Sequence, residues 1–353
     1  MLNFENGVVD LRTGEIQPAA RDLFITKIIH HKYNPAAQCH TFMQFLSRAM
    51  GASPEADERK LQEVDVLLAY LQRAFGYSLT GVTSEKAVFL LHGNGDNGKS
   101  TLLATFLKLM GEYSVLLQID TLMAGRGESN NSQADLADLR GARFVMTSET
   151  EDGQRLAEGK LKRITQGTGK IKAVRKYENP IEFDESHKLW VDANHLPVVR
   201  GTDNAIWNRL HPIPFTVTIP RGEQDRQLPA KLLAEAEGIL AWAVHGAVLW
   251  YRGGLTKPQP VESAGASWRT DSDQLGRFIL ECCVSGDCVS GRARKLYDAF
   301  KSWAEQSNES VCTETAFCRK LLERGYKKVI KNYGSVYEGL GIRDTQTEAK
   351  GCE

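Results

Sequence analysis

The chain has 353 residues, 42% hydrophobic and 25% charged, the proportions of a folded globular protein and not of a disordered or fibrous one. Its 44 basic and 44 acidic residues cancel, so a uniformly basic nucleic-acid coat is excluded and any polyanion site has to be local. No apolar run approaches the roughly 18 residues that span a bilayer, the start Met1-Leu2-Asn3-Phe4-Glu5 has no basic-then-apolar leader pattern, and the seven cysteines show no CxxC pairing.

These features lead us to expect a cytoplasmic, unsecreted protein with no membrane partner. Cys282, Cys283 and Cys288 have no histidine nearby at ligand spacing, so they read as thiols, not as a metal centre. In chain order, Gly7 to Ile16 alternates apolar and polar residues around Arg12-Thr13-Gly14 and predicts a short hairpin; a chain opening in a strand reads as cut from something longer. From His40 to Phe75 the period becomes helical, with Phe42, Phe45 and Leu46 on one face, then Leu61, Val64, Leu68, Leu71 and Phe75. Gly51-Ala52-Ser53-Pro54 separates the two helices.

Between Lys86 and Thr218 come short apolar runs, Ala87 to Leu91, Phe144 to Met146 and Leu189 to Val191. Such runs predict strands buried on both faces of a largely parallel sheet, and the helical segments between them make this region α/β. One helix is expected from Pro229 to Trp250, a linker from Leu255 to Ala266, and then a further unit of three helix-like segments ending in a β-wing at Val329 to Tyr337.

Gly93-Asn94-Gly95-Asp96-Asn97-Gly98-Lys99-Ser100 lies directly after the first of those strands and before a helix that begins near Thr101. Four residues between Gly93 and Gly98 let the loop wrap a phosphate with backbone N–H groups, while the following helix points its N-terminus at the same anion. Lys99 then reaches the β- and γ-phosphates and Ser100 ligates Mg²⁺, which reads as a site for ATP. A second strand, Phe144-Val145-Met146, runs into Thr147-Ser148-Glu149-Thr150-Glu151-Asp152. Glu149 there can hold Mg²⁺ indirectly or polarise the attacking water, with Glu151 as the alternative. A third, Leu189-Trp190-Val191-Asp192-Ala193, ends at Asn194, an uncharged amide suited to sensing the γ-phosphate. Fifteen residues on, Trp207-Asn208-Arg209-Leu210 sets an arginine between apolar neighbours, where it could act as a finger on a neighbouring subunit's nucleotide; taken alone, Asn194 reads better as a strand cap and Arg209 as a surface salt-bridge partner.

In order and spacing, the phosphate loop, Ser148-Glu149-Thr150-Glu151, Asn194-His195-Leu196-Pro197 and Trp207-Asn208-Arg209-Leu210 resemble the superfamily 3 helicase module of phage and plasmid primase-helicases, a group that includes the poxvirus type. The likeness covers nearly the whole chain. It implies an α/β, P-loop AAA+-type ATPase core at 83–258, preceded by a hairpin segment at 1–35 and a helical, collar-like bundle at 36–82, and followed by a winged-helix-like domain at 271–343. It also implies a ring, usually a hexamer, that moves 3′ to 5′ on single-stranded DNA. Lys99 and Ser100 match the phosphate and metal positions, Glu149 the catalytic carboxylate, Asn194 the sensor and Arg209 the finger. Asn208 stands where the family often has a further arginine, and Thr165-Gln166-Gly167-Thr168-Gly169 where it often reads Thr-Gly-Gly-Asp.

The stretch from Arg155 to Lys176 holds eight basic residues against the single acid Glu158, a local excess suited to a phosphate backbone. Lys170-Ile171-Lys172, after Gly167 and Gly169, reads as the tip of a DNA-tracking hairpin, with Arg175 and Lys176 beside it. Two other readings share the nucleotide motifs: a P-loop ATPase that remodels or loads replication proteins, and an origin-binding module in which ATP is structural. No acidic catalytic cluster precedes the helical region, so a primase is expected either in a missing part of a longer chain or on a separate partner.

Overall fold

The computed structural model describes residues 1–125, 130–147, 153–175, 177–201, 203–307, 311–332 and 334–343. Three short strands, β1 (Leu2–Phe4), β2 (Gly7–Asp10) and β3 (Glu15–Gln17), form an antiparallel sheet in that order, so the predicted hairpin gains a strand at its front. Helices α1 (His40–Met50) and α2 (Glu58–Leu79) follow. The Asp57 carboxylate caps α2, accepting from the Lys60 N–H at 2.8 Å.

The middle of the chain runs β4 (Val88–His92), α3 (Lys99–Met110), β5 (Ser114–Leu117), α4 (Asn130–Asp138), β6 (Phe144–Thr147), α5 (Glu158–Ile164), β7 (Lys170–Ala173), β8 (Ile181–Asp184), β9 (Lys188–Ala193), α6 (Asn204–Trp207) and β10 (Leu210–Pro214). Five of these strands form one parallel sheet in the order β10-β4-β9-β6-β5, while β7 and β8 pair separately as an antiparallel hairpin. β4 is thus interior, with β9 on one side and β10 on the other. Burial on both faces is why β4, β6 and the middle of β9 read as apolar runs. On one face Phe75 of α2 stacks on Phe106 at 3.8 Å and on Trp190 at 4.2 Å, and Phe89 stacks on Trp190 at 4.3 Å. The helical residues 40–79 therefore share one core with the sheet. On the other face Val88, Leu90, Val145, Leu189 and Val191 pack with residues of α4, α5 and α6.

The single helix predicted over Pro229–Trp250 is two, α7 (Leu228–Ala234) and α8 (Ala236–Gly253), broken at Glu235. The break places the Glu235 carboxylate on the first N–H groups of α1, those of Thr41 and Phe42, at 2.9 Å each; α1 has no side-chain cap from its own N-terminal residue. α8 crosses α2 with backbones touching. A Cβ on Gly246 would lie 1.9 Å from the Gln72 carbonyl oxygen, and one on Gly76 would lie 2.0 Å from the Ala247 nitrogen. The predicted linker is largely a helix, α9 (Gln259–Ser272), with Pro258 and Pro260 at its start, where a missing N–H costs no helical bond. No single helix among the described residues is long and apolar enough to cross a membrane.

The chain divides into two units, at 1–268 and from residue 269 onward. The second runs α10 (Gln274–Cys282), β11 (Cys283–Arg292), α11 (Ala293–Gln306), α12 (Glu314–Glu323), β12 (Lys327–Lys331) and β13 (Gly334–Ile342), with sheet order β11-β13-β12. Its own core includes Phe278, Leu296, Phe300, Phe317, Leu321 and Tyr337.

Candidate active site

β4 delivers the chain into the loop Gly93-Asn94-Gly95-Asp96-Asn97-Gly98, and α3 begins at Lys99. The loop lies against Phe215, just past β10. At Gly93 a Cβ would come within 2.0 Å of the Phe215 carbonyl oxygen, and its φ of 151° is one that side chains disfavour, so glycine is required there. Gly95 has nothing within 4 Å of a Cβ position, which leaves its backbone open. Asn97 is buried and ties the loop together, donating to the Asn94 carbonyl and, at 3.1 Å, to that of Phe215, while the Asp96 carbonyl accepts from the Ile219 N–H at 2.7 Å.

Lys99 is only 2% exposed. Its ammonium donates to the Gly93 carbonyl at 2.7 Å, to Asn97 Oδ1 at 3.0 Å and to Asn194 Oδ1 at 3.2 Å. A charge held this deep needs such oxygens to offset lost hydration. The structure thus brings Lys99 and Asn194 together, although they are far apart in sequence. His92, directly before the loop, is pulled down to about 4 by burial and by the nearby Lys99, so its imidazole is neutral at physiological pH. Thr101 sits in the first turn of α3, where its carbonyl accepts from Thr105 Oγ1 at 2.7 Å.

Side chains of β9 alternate between its two faces, so Trp190 and Asp192 point the same way as Asn194 just beyond the strand. Trp190 enters the aromatic core, and Asp192 accepts the Ser100 hydroxyl at Oδ2, 2.5 Å away. Asp192 is 2% exposed and was not among the predicted site residues; the available signal was a lone carboxylate in a fully buried strand whose other residues after Lys188 are apolar. Ser100 itself is exposed and within reach of a ligand.

Arg209 lies between α6 and β10, at the opposite end of the sheet from the loop. Leu210 pairs with Val88 at the start of two parallel strands, whereas the loop follows His92 at the end of β4. The guanidinium donates to the Ala205 carbonyl, and its Nε is buried with no hydrogen-bond partner among the described residues. The neighbouring Lys257 ammonium donates to the carbonyls of Asn208 at 3.1 Å and Leu210 at 2.9 Å, and burial lowers its pKa to about 8.

The basic stretch forms the β7–β8 hairpin, with one correction: Lys170-Ile171-Lys172 is strand, not tip. The register pairs Lys170 with Asp184 and Ala173 with Ile181, so the chain reverses between residues 174 and 180, where Asn179-Pro180 supplies turn chemistry. Lys170 and Lys172 share the Glu182 carboxylate at 3.3 and 3.4 Å, which holds that carboxyl below its ordinary range; their side chains stay 63% and 81% exposed. Arg175 is ion-paired with Asp138 of α4 at 2.5 Å, and Tyr177, in the reversal, is 93% exposed. The base of the hairpin is fixed by Thr83, donating to the Gly167 carbonyl at 2.9 Å, and by Glu185, accepting from the Gly167 N–H at 3.0 Å. Burial raises the Glu185 carboxyl to about 7 against those hydrogen bonds. Glu149, Glu151 and Lys176 lie outside the described residues.

Residues 91–209 match a family described as a family of unknown function (DUF5906), and residues 1–51 match one described as D5 N terminal like. The mimivirus protein named "Putative helicase L207/L206" (Acanthamoeba polyphaga mimivirus) is 23% identical over 351 residues, covering 94% of this chain and 36% of the relative. "Putative helicase 022R" of Frog virus 3 (isolate Goorha) is 23% identical over 249 residues, covering 65% of this chain and 26% of the relative. The chain therefore spans about a third or less of these relatives. Among solved structures, the A-form apo structure of the NrS-1 C-terminal region superposes with a TM-score of 0.52 at 11% identity, over 87% of this chain and 77% of that one, which establishes a shared fold.

Proposed function

We propose that this chain, a D5-like homologue of viral helicases, is the ATP-hydrolysing motor part of a replication helicase. The observation that carries the proposal is the meeting of Lys99, Ser100 and Asn194 at the same ends of two adjacent parallel strands. A glycine loop with open backbone at Gly95, the first turn of α3 and a buried ammonium suit a triphosphate. The oxygen-only chemistry around Ser100 suits Mg²⁺, a hard cation that neutralises phosphate charge when bound. In this reading the loop N–H groups from Gly93 to Gly98 and Lys99 hold the phosphates, and Glu149, with Glu151 as alternative, takes the proton of the attacking water. Asn194 orients that water, and Arg209 serves the site of the next subunit.

The β7–β8 hairpin is the contact to single-stranded DNA. Lys170 and Lys172 offer exposed ammonium groups to phosphates, Arg175 and the exposed Tyr177 lie at or beside the reversal, and Lys176 follows Arg175 in the sequence. The five-strand order supports an AAA+-type core, and the helix–strand–helix–helix–strand–strand order of the second unit supports a winged-helix-like domain. Assembly as a ring, usually hexameric, 3′ to 5′ movement, action in the cytoplasm and cooperation with a primase complete the proposal. The test is strand displacement on forked duplexes carrying either a 3′ or a 5′ single-stranded tail. ATP-dependent release from the 3′-tailed fork alone is expected; release from the 5′-tailed fork alone refutes the polarity, and release from neither refutes the helicase reading.

A further inference from the structure

An unassigned carboxylate stands at the metal side of this site. Asp192 belongs to β9, the strand hydrogen-bonded directly to β4, and pairs in register with Leu91, two residues before the glycine loop. β6, which leads toward the expected catalytic acid Glu149, lies one strand farther out, beyond β9. At a neighbour spacing of about 4.8 Å, the carboxylate of the adjacent strand is the one placed to meet the first turn of α3. It does so, with Oδ2 2.5 Å from Ser100 Oγ. The alternation of β9 puts Asp192 on the same face as Asn194, so two residues of one short strand-and-turn address the first two residues of α3, Ser100 and Lys99.

We propose that Asp192 is the positioning residue for the divalent cation, and that the site divides its acids between strands. Asp192 acts through Ser100: by accepting the hydroxyl proton it turns the Ser100 lone pairs outward toward the cation, and its negative charge favours a divalent ion and the waters such an ion retains. The acid at the end of β6 is then left for the attacking water. This inference rests on the ATP-site reading above, and adds to it which buried carboxylate sets the cation affinity.

The experiment uses the full chain and a fluorescent ATP analogue, with binding measured in EDTA and across a titration of Mg²⁺ or Mn²⁺. Asp192→Asn keeps an acceptor for Ser100 and removes the charge. Nucleotide affinity in EDTA should stay within about twofold of wild type, while the Mg²⁺ midpoint rises by about tenfold or more, the usual size of an effect transmitted through a ligand's partner. Asp192→Glu should recover part of that shift, and Asp192→Asn should add little once Ser100→Ala has been made. An unmoved Mg²⁺ midpoint in Asp192→Asn, or an equal loss with and without the cation, overturns the assignment and leaves Asp192 as a structural cap. Wild-type protein that binds no nucleotide would instead refute the ATP-site reading itself.

Discussion

Arg209→Ala combined with Lys99→Ala tests where the arginine acts. Arg209 precedes β10 at the end of the sheet where β4 begins, whereas the phosphate loop starts where β4 ends. Four residue steps from Val88 to His92, at about 3.3 Å each, separate the two ends by about 13 Å, more than an arginine side chain extends. The guanidinium therefore does not reach the loop of its own chain, and the proposed ring assigns it to the loop of the next one. Arg209→Ala should still bind ATP while its hydrolysis falls by about 10³-fold or more, the range of arginine fingers elsewhere. Lys99→Ala subunits lack the phosphate lysine yet still present an intact Arg209. In a one-to-one mixture of exchanging subunits, about a quarter of head-to-tail interfaces join an intact loop to an intact arginine, so up to about a quarter of wild-type turnover should return. The assay is phosphate release against mixing ratio, with mixed assemblies confirmed by mass. No recovery at any ratio would refute action in trans.

Glu149→Gln should retain ATP binding and stop hydrolysis, because the amide keeps the shape but cannot accept a proton; if Glu151→Gln is the dead variant in a turnover assay, the base is two residues farther on. Lys170→Ala with Lys172→Ala should weaken single-stranded DNA binding alike for all sequences, and make the slope of log affinity against log salt shallower by about 1.4, two phosphate contacts at about 0.7 each. An unchanged slope in fluorescence-anisotropy titrations would return both lysines to a role limited to Glu182. Glu185 provides a pH test: its carboxyl is raised to about 7 in the fold by burial, so the folded state holds the proton more tightly than the unfolded chain. Stability should then be highest below the unfolded value, fall as pH rises toward about 7 and level off above. Glu185→Gln should flatten thermal melts between pH 5 and 8, and a wild-type pH profile in that variant would contradict the account of Glu185.

The place of the glycine loop between a strand and a helix, and the strands β4, β6 and β9, were legible because burial on both faces imposes continuous apolar runs and because the loop's glycines interrupt them. What escaped was information carried by neighbours in space. Asp192 carried no role in a strand read for its end at Asn194; only the sheet order, with β9 beside β4, puts it on Ser100. Glu235 sits inside a helical pattern that continues across it, and the break exists because its carboxylate caps α1, some two hundred residues earlier. Pro258 and Pro260 read as breakers, yet both lie where a helix tolerates proline. Gly167 and Gly169 suggested a tip at Lys170, but they serve the base of the hairpin, where Thr83 and Glu185 hold the Gly167 backbone. Arg209 was legible as a residue and illegible as a position, since its distance from the loop follows from the parallel pairing of β10 with β4.

The most direct measurement of the central claim is the rate of ATP hydrolysis with and without single-stranded DNA, taken on the same sample whose assembly mass is determined. Hydrolysis that rises severalfold on adding single-stranded DNA, in an assembly several chains in mass, is the expected result. A DNA-independent rate from a single chain would contradict it.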